Sequence, residues 1–565
     1  MPRAWVLSLV VAVISLNVGL ASVARSQPEG LGDKIVRPAD DSEIIQFALT
    51  LPLRDQAALD QEIKGMYDPK SPNFHHFLSV SEFENKYAPT AADYSSIKSF
   101  ATASGLSIVG EPPGRTSIDV SANVATIRRV FRTQMHWRQR NDGKQYLWAD
   151  NEPVPPRALA LMGGNAAVLR QMPPESLIQH RKPGPLATNL GTGPSGTYVP
   201  NDIKTAYDLT TIQNGGTPVA LYELSSAAYA DAGVYATQFG LNNPTLIQKT
   251  VDGGTSNTAG AEEVMLDIEM VMAVSNSTSM YIYTGGTSST APLDTYKQIA
   301  NDNLVGQVSS SWYTGCENDV GASTMNAENA VFTQMIAQGI AVFVALGDFG
   351  ANNVGSANCV TGTGIGPQLL DPGSQPNITS AGGTSLTTSS LQAYVSEAVW
   401  NDTNGTGTGG GVSAYWPIPS YQAGLSTADT QFSAVKRNAP DMSLDADPAT
   451  GYYIYCSTCG GWQVGVGGTS AVAPQLAAFW SLISKGLGGR AGFANPTLYE
   501  LAQSEVAFHS NFHDVTVGNN GFYNAFAGYD NATGWGSYKG GNLYSAVLAR
   551  RRATSLTPIF DLLLQ

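Results

Sequence analysis

Between Pro218 and Ala345, short apolar runs alternate with stretches of helical period, and that alternation admits few folds. Pro218-Val-Ala-Leu-Tyr222, Met280-Tyr-Ile-Tyr283 and Ile340-Ala-Val-Phe-Val-Ala345 read as strands covered on both faces. The helical stretches Glu262 to Val274 and Ala327 to Gln338 fall between them, as crossovers between parallel strands do. The expected fold class is α/β, a parallel sheet flanked by helices. A chain of 565 residues exceeds one ordinary core, and its earlier part reads differently. From Arg37 to Arg170, helix-like stretches (Asp55 to Tyr67, Ala91 to Ser104) mix with β-rich ones (Leu106 to Val109, Thr116 to Val120), the pattern of a small α+β domain. Gly, Pro, Ser and Thr dominate from Pro183 to Pro200, as in a linker or an exposed processing segment. The expected division is a leader at 1–24, an α+β domain at 25–182, a linker at 183–200, the α/β domain at 201–549 and a tail at 550–565. The tail after Arg550-Arg551-Arg552 reads as peripheral.

Met-Pro-Arg precedes a mostly apolar run from Ala4 to about Leu20, then Ala21-Ser22-Val23-Ala24. This is the layout of a signal peptide cut near Ala24. An uncleaved anchor is the alternative, but the run does not clearly reach the ~20 residues that span a bilayer. A secreted protein, free of the membrane after cleavage, is expected. Four cysteines suit export: Cys316, Cys359, Cys456 and Cys459 allow two bridges in three pairings. The Cys456-Ser-Thr-Cys459 spacing also fits a redox or half-zinc motif; with no second such pair and no nearby His pair, a local disulfide is favoured. From about Pro185 onward there are 11 Lys/Arg against 27 Asp/Glu, which argues against nucleic acid and suits a protein that works in acid. The earlier region is slightly basic, so it is expected to dock electrostatically near neutral pH and to release on acidification. A monomer is the default.

Gly467-Gly468-Thr469-Ser470-Ala471-Val472-Ala473-Pro474 precedes a helical run from Gln475 to Ile483. A serine at a glycine-rich turn opening a helix has an exposed hydroxyl beside backbone N–H groups and the positive end of the helix dipole, which suits a nucleophile. An ordinary N-cap serine is the plainer alternative. A serine nucleophile needs a base, usually histidine. The six histidines are His75, His76, His136 and His180, before or in the linker, and His509 and His513, after the serine. None lies between Lys182 and Phe508, so the order Asp, His, Ser cannot occur in the later domain and a carboxylate must serve.

Gly260-Ala-Glu262-Glu263-Val-Met-Leu-Asp267-Ile-Glu-Met supplies the candidate. Glu263 and Asp267 stand one helical turn apart on the same face, where their carboxyls can share a proton; Glu262 points about 100° away. A solvated acidic helix start is the alternative, disfavoured by Val264, Met265, Leu266 and Ile268. Phe343-Val-Ala-Leu-Gly347-Asp348-Phe-Gly350 reads as a buried strand ending in an aspartate, at the carboxyl end where active groups of parallel sheets lie. Alone, Asp348 reads equally well as a turn residue.

Together these motifs resemble the sedolisin family of serine-carboxyl peptidases, over nearly the whole chain. The resemblance implies a subtilisin-like catalytic domain behind a ferredoxin-like pro-domain, foreshadowed by Asp68-Pro-Lys-Ser-Pro72 and Phe77-Leu78, that inhibits until removed. It implies Ser470 as nucleophile, Glu263 as base, Asp267 as the residue that orients Glu263, and Asp348 as an oxyanion stabiliser that must be protonated, hence activity in acid. Phe349 stands where the family usually has Ser. The family's calcium site is similar to Asp514-Val515 with Phe526-Ala-Gly528-Tyr-Asp530, whose two carboxylates and the carbonyls of Val515, Phe526 and Gly528 suit one structural Ca2+; Phe526 stands where Gly is usual. Val308-Ser-Ser-Ser-Trp312 resembles the strand that pairs with bound peptide, and Arg437-Asn-Ala-Pro-Asp441 reads as structural. The maturation cut is expected between about Arg181 and Tyr198. A secreted, self-processing endopeptidase acting on proteins or peptides is the reading; the others are a calcium-stabilised binding protein on the same fold, and a hydrolase using His509 or His513.

Overall fold

The computed structural model describes residues 34–140, 143–182, 191–352, 359, 366–402 and 405–563. The expected leader at 1–24 and residues 183–190 of the expected linker lie outside the described residues. No helix among the described residues is long and apolar enough to cross a membrane.

The earlier domain is a βαββαβ unit. Its antiparallel sheet runs Ser107–Gly110, Ser117–Asn123, Ile44–Thr50, Asn165–Ala167, the order of a ferredoxin-like sheet, and the expected α+β character is borne out. Local chemistry starts its helices: Ser79 with Glu82, and Thr90 with Asp93, form reciprocal capping boxes at Val80–Lys86 and Ala91–Ala103. Phe47, Ile97, Ile118, Val120, Ile127 and Phe131 fill its core.

In the later domain we label β1 (Val219–Glu223), β2 (Thr245–Thr250), α1 (Ala261–Ser275), β3 (Ser279–Thr284), α2 (Ala291–Asp302), β4 (Gln307–Ser310), α3 (Ala322–Ala337), β5 (Ala341–Ala345), β6 (Thr379–Thr388), β7 (Tyr394–Val399), β8 (Met442–Asp445) and α4 (Val472–Leu487). The sheet order is β2-β3-β1-β4-β5-β6-β7 with β8 also beside β6; all pairings are parallel except β6–β7. The strands read as continuous apolar runs because helices cover both faces: β1 and β5 are buried at every position. Helix α1 is buried at every residue except Glu262, and Asn276 ends it in a left-handed turn.

Hydrogen bonds and apolar contacts join the domains. Tyr67 Oη donates to Ile336 O (2.6 Å) and accepts from Phe493 N (3.0 Å), Leu78 N donates to Ala337 O (2.9 Å), and Val168 N donates to Thr324 Oγ1 (2.9 Å). Leu59, Met66, Tyr67, Leu78 and Phe83 share one core with Ile336, Ala337 and Phe493. Such contacts are indifferent to net charge, so electrostatic docking describes only part of this interface.

Two segments depart from expectation. The end of the expected linker is packed: Thr197, Tyr198 and Val199 are buried and Tyr198 Oη donates to Leu386 O (3.1 Å), so the later core begins before residue 200. The segment expected as a peripheral tail is anchored at its first residue, Arg550. That residue lies within the helix Gly540–Leu563, pairs with Glu500 (2.6 Å) and donates to Tyr67 O (3.2 Å).

Candidate active site

Ser470 lies in a tight turn, Thr469–Ala471, at the start of α4, where the helix dipole favours developing negative charge. Its Oγ donates to Glu263 Oε2 at 2.9 Å, across 207 residues of sequence. Glu263 and Asp267 are both fully buried one turn apart on α1. Ser311 Oγ donates to Asp267 Oδ1 (2.8 Å) and also reaches Ser470 O (3.3 Å), fastening α1 to the nucleophile turn. Asp348 follows β5; its Oδ1 accepts from Thr469 N and Thr469 Oγ1, each at 2.8 Å. The four chemical residues expected from the sequence therefore meet in one place. His513 instead stacks on Tyr394 (3.5 Å between ring centroids).

A third carboxylate joins them. Glu223, at the carboxyl end of β1, is buried, accepts from Trp312 Nε1 (3.0 Å) and hydrogen-bonds Asp267. Burial first, and the Asp267 charge second, push both Glu263 and Glu223 well above the usual carboxylate range. Burial pushes Asp267 up to about 8, against the lowering bonds from Ser311 and Glu223. Three neighbouring buried carboxyls do not all ionise, so the group holds protons. Glu223 thus joins the Glu263 and Asp267 pair that the sequence suggested as sharing a proton. Burial also raises Asp348 to about 7, opposed by both Thr469 bonds and one from the Gln179 side chain.

Ser470 is not exposed as its motif suggests, because the end of the earlier domain lies over it. Glu175–Ser176 pairs antiparallel with Trp312–Tyr313, and Gln179–His180 pairs antiparallel with Val466 and Gly467. Between them Leu177 N donates to Ser311 O (3.1 Å) and Leu177 O accepts from Ser470 N (3.3 Å). The Leu177 side chain is fully buried, a contact worth about 2 kcal/mol. Gly468, at φ 100°, makes room for this carbonyl: a Cβ there would stand 2.2 Å from Leu177 O and 2.6 Å from Asp348 Oδ2. Asp348 Oδ2 is buried, and among the described residues the Gln179 side chain at the end of the earlier domain is the group near enough to bond it. Ser470 N–H and the Asp348 carboxyl thus flank the pocket that holds a peptide carbonyl.

Sequence reading missed Glu223, Ser311 and Leu177. The rule that pointed to Asp348, an acid at the carboxyl end of a parallel strand, also picks out Glu223.

At the expected calcium loop, Gly528 N donates to Asp514 (3.2 Å) and Phe526 N to Asp530 Oδ2 (2.9 Å), which gathers the two carboxylates with the loop of Phe526 and Gly528. Asp530 is fully buried and its other oxygen accepts from Ala532 N and Thr533 N. The expected donor set, two carboxylates with the carbonyls of Val515, Phe526 and Gly528, is all oxygen, and that chemistry fits a hard cation. Among the described residues no cluster of three or more His, Cys, Asp or Glu suited to a metal occurs. The cysteines pair as Cys316–Cys359 and Cys456–Cys459, and Arg437 makes a buried ion pair with Asp441 (2.6 Å).

The family described as Pro-kumamolisin, activation domain, matches residues 32–161. Kumamolisin of Bacillus sp. (strain MN-32) is 29% identical, covering 94% of this chain and 96% of its own. Human tripeptidyl-peptidase 1 is 24% identical over 93% of this chain and 92% of its own. A solved structure of Pseudomonas sedolisin, a serine-carboxyl proteinase complexed with two molecules of pseudo-iodotyrostatin, superposes with a TM-score of 0.56 at 27% identity, covering 65% of this chain and 100% of that one. Over nearly its whole length this chain is similar to the sedolisin family of serine-carboxyl peptidases, and residues 32–161 match the family's activation domain.

Proposed function

We propose that the protein is a secreted, acid-acting serine endopeptidase made as a self-processing zymogen. One observation carries the reading: a peptide carbonyl rests on Ser470 N–H while Ser470 Oγ donates to a buried carboxylate. Ser470 Oγ attacks the carbonyl carbon as Glu263 takes its proton. Glu263 then returns that proton to the leaving nitrogen, and water repeats the sequence on the acyl-enzyme. Asp267, tied to Ser311 and Glu223, is a positioning residue that holds Glu263 against the serine. Protonated Asp348 and Ser470 N–H donate to the oxyanion. One structural Ca2+ held by Asp514, Asp530 and the carbonyls of Val515, Phe526 and Gly528 would cross-link the loop that carries them.

Endopeptidase action is favoured over removal of short N-terminal peptides by the path of the bound segment. It does not begin at Glu175, as a tripeptide ending at Leu177 would, but extends back through Pro174 and Pro173, which line a cavity of about 890 Å³ with Ser225, Asn257 and Trp312. In this register the first bond cut is Leu177–Ile178, upstream of the stretch from Arg181 to Tyr198 that composition suggested.

Acidification of the purified precursor, followed by intact-mass and N-terminal analysis, tests this. The expected product begins at Ile178, and the Ser470→Ala precursor stays whole. A wild-type precursor that remains uncut while folded, or a Ser470→Ala precursor that cuts itself equally well, would refute the reading.

A further inference from the structure

Glu262 is the one residue of α1 that is not buried, set off the face that carries Glu263 and Asp267. Its Oε2 lies 3.1 Å from His180 Nε2, and the side chains are 18% and 50% exposed respectively. His180 is the third residue beyond Leu177–Ile178. Backbone bonds fix its place: Val466 pairs with His180, Gly467 with Gln179, and Arg181 N donates to Gly465 O at 2.8 Å. Any peptide held in the same strand pairing presents its corresponding side chain to Glu262. The other oxygen, Glu262 Oε1, is buried with no hydrogen-bond partner among the described residues, so the carboxylate offers one acceptor more than His180 uses.

We propose that Glu262 is a specificity-determining residue, which selects substrates with a cationic side chain at the third position after the scissile bond. The inference rests on the peptidase reading and on its Leu177–Ile178 register. Arginine suits the position better than histidine, because its forked guanidinium engages both carboxylate oxygens while histidine meets one. The adjacent acids then divide the work: Glu263 moves the proton, and Glu262 reads the departing half of the substrate. The pro-segment's own His180 uses this contact to hold its register across Ser470.

The test uses acid-matured enzyme and internally quenched peptides of the form Pro-Pro-Glu-Ser-Leu-Ile-Gln-X-Ala, with X as Arg, His, Gln or Glu and the cut bond located by mass spectrometry. For a partly exposed ion pair, kcat/KM with X as Arg or His should exceed that with Gln by about two- to fivefold. The ratio should fall to about one in Glu262→Gln, and Glu262→Lys should favour X as Glu. Cleavage at Leu–Ile with no preference among X, or a preference that survives Glu262→Gln, overturns the proposal and leaves the peptidase reading standing. No cleavage of any peptide, or cleavage only at another bond, overturns the reading beneath it as well.

Discussion

Replacing Asp348 by Asn separates the hydrogen bond this residue donates from the charge it acquires. Its Oδ1 accepts from Thr469 N and Oγ1 at 2.8 Å, and its Oδ2 faces the carbonyl pocket. An asparagine keeps the first pair of bonds with its carbonyl oxygen and presents Nδ2 as a permanent donor toward the oxyanion. In the wild type that donor exists only while the carboxyl is protonated. In the precursor burial raises it from 3.8 to about 7; with the carboxyl still raised in the matured enzyme, the donor is present at lower pH and is lost as pH rises through the raised value. Above that point kcat/KM should fall roughly tenfold per pH unit, since each unit removes nine-tenths of the remaining acid form. The Asn variant should lose this limb and remain active at pH 7 to 8. Asp348→Ala removes the donor at every pH and should cost about 10²- to 10³-fold. Initial rates on a quenched peptide, measured on acid-matured protein from about pH 3 to 8, supply all three profiles. An Asn variant that keeps the wild-type limb would refute the assignment of that limb to Asp348. An Ala variant within a few-fold of wild type would remove Asp348 from the oxyanion site.

Two further outcomes follow from the same geometry. Gly468→Ala places a methyl 2.2 Å from the bound carbonyl in a backbone conformation at φ 100°, so the precursor should lose about 1–3 kcal/mol of stability in thermal unfolding, and the matured enzyme at least 10²-fold in kcat/KM. Chelation of Ca2+ should lower the Tm of the matured enzyme, with Asp530→Asn reproducing the loss and blunting any further effect of chelator; a Tm indifferent to chelator and to added Ca2+ would remove the ion from the account.

Ser470, Glu263, Asp267 and Asp348 were legible because each sits in a short motif whose local structure follows from its own residues. The Glu263–Asp267 spacing places two acids on one helical face; the glycine-rich turn before α4 makes a nucleophile's position. The missing histidine between Lys182 and Phe508 did as much, by excluding the usual base. Glu223 was not legible as a partner of Asp267, because their proximity arises only when β1 packs beside α1. The bound segment was hidden for a related reason: nothing local to Glu175–His180 says that its two halves add strands on either side of Ser470. Composition misled at Thr197 to Val199, which looks like linker and is buried, and it gave no sign that Arg550, where the peripheral tail begins, reaches Tyr67. Burial depends on what the rest of the chain brings to a segment, and composition does not record it.

The carboxylate-based mechanism is tested most directly by hydrolysis of denatured protein from about pH 2.5 to 8, with acid-matured wild type beside Ser470→Ala and Glu263→Gln domains released from the pro-domain by added active enzyme. Activity should be confined to acid and abolished by either substitution. A folded, matured Glu263→Gln enzyme that retained wild-type turnover would contradict that mechanism.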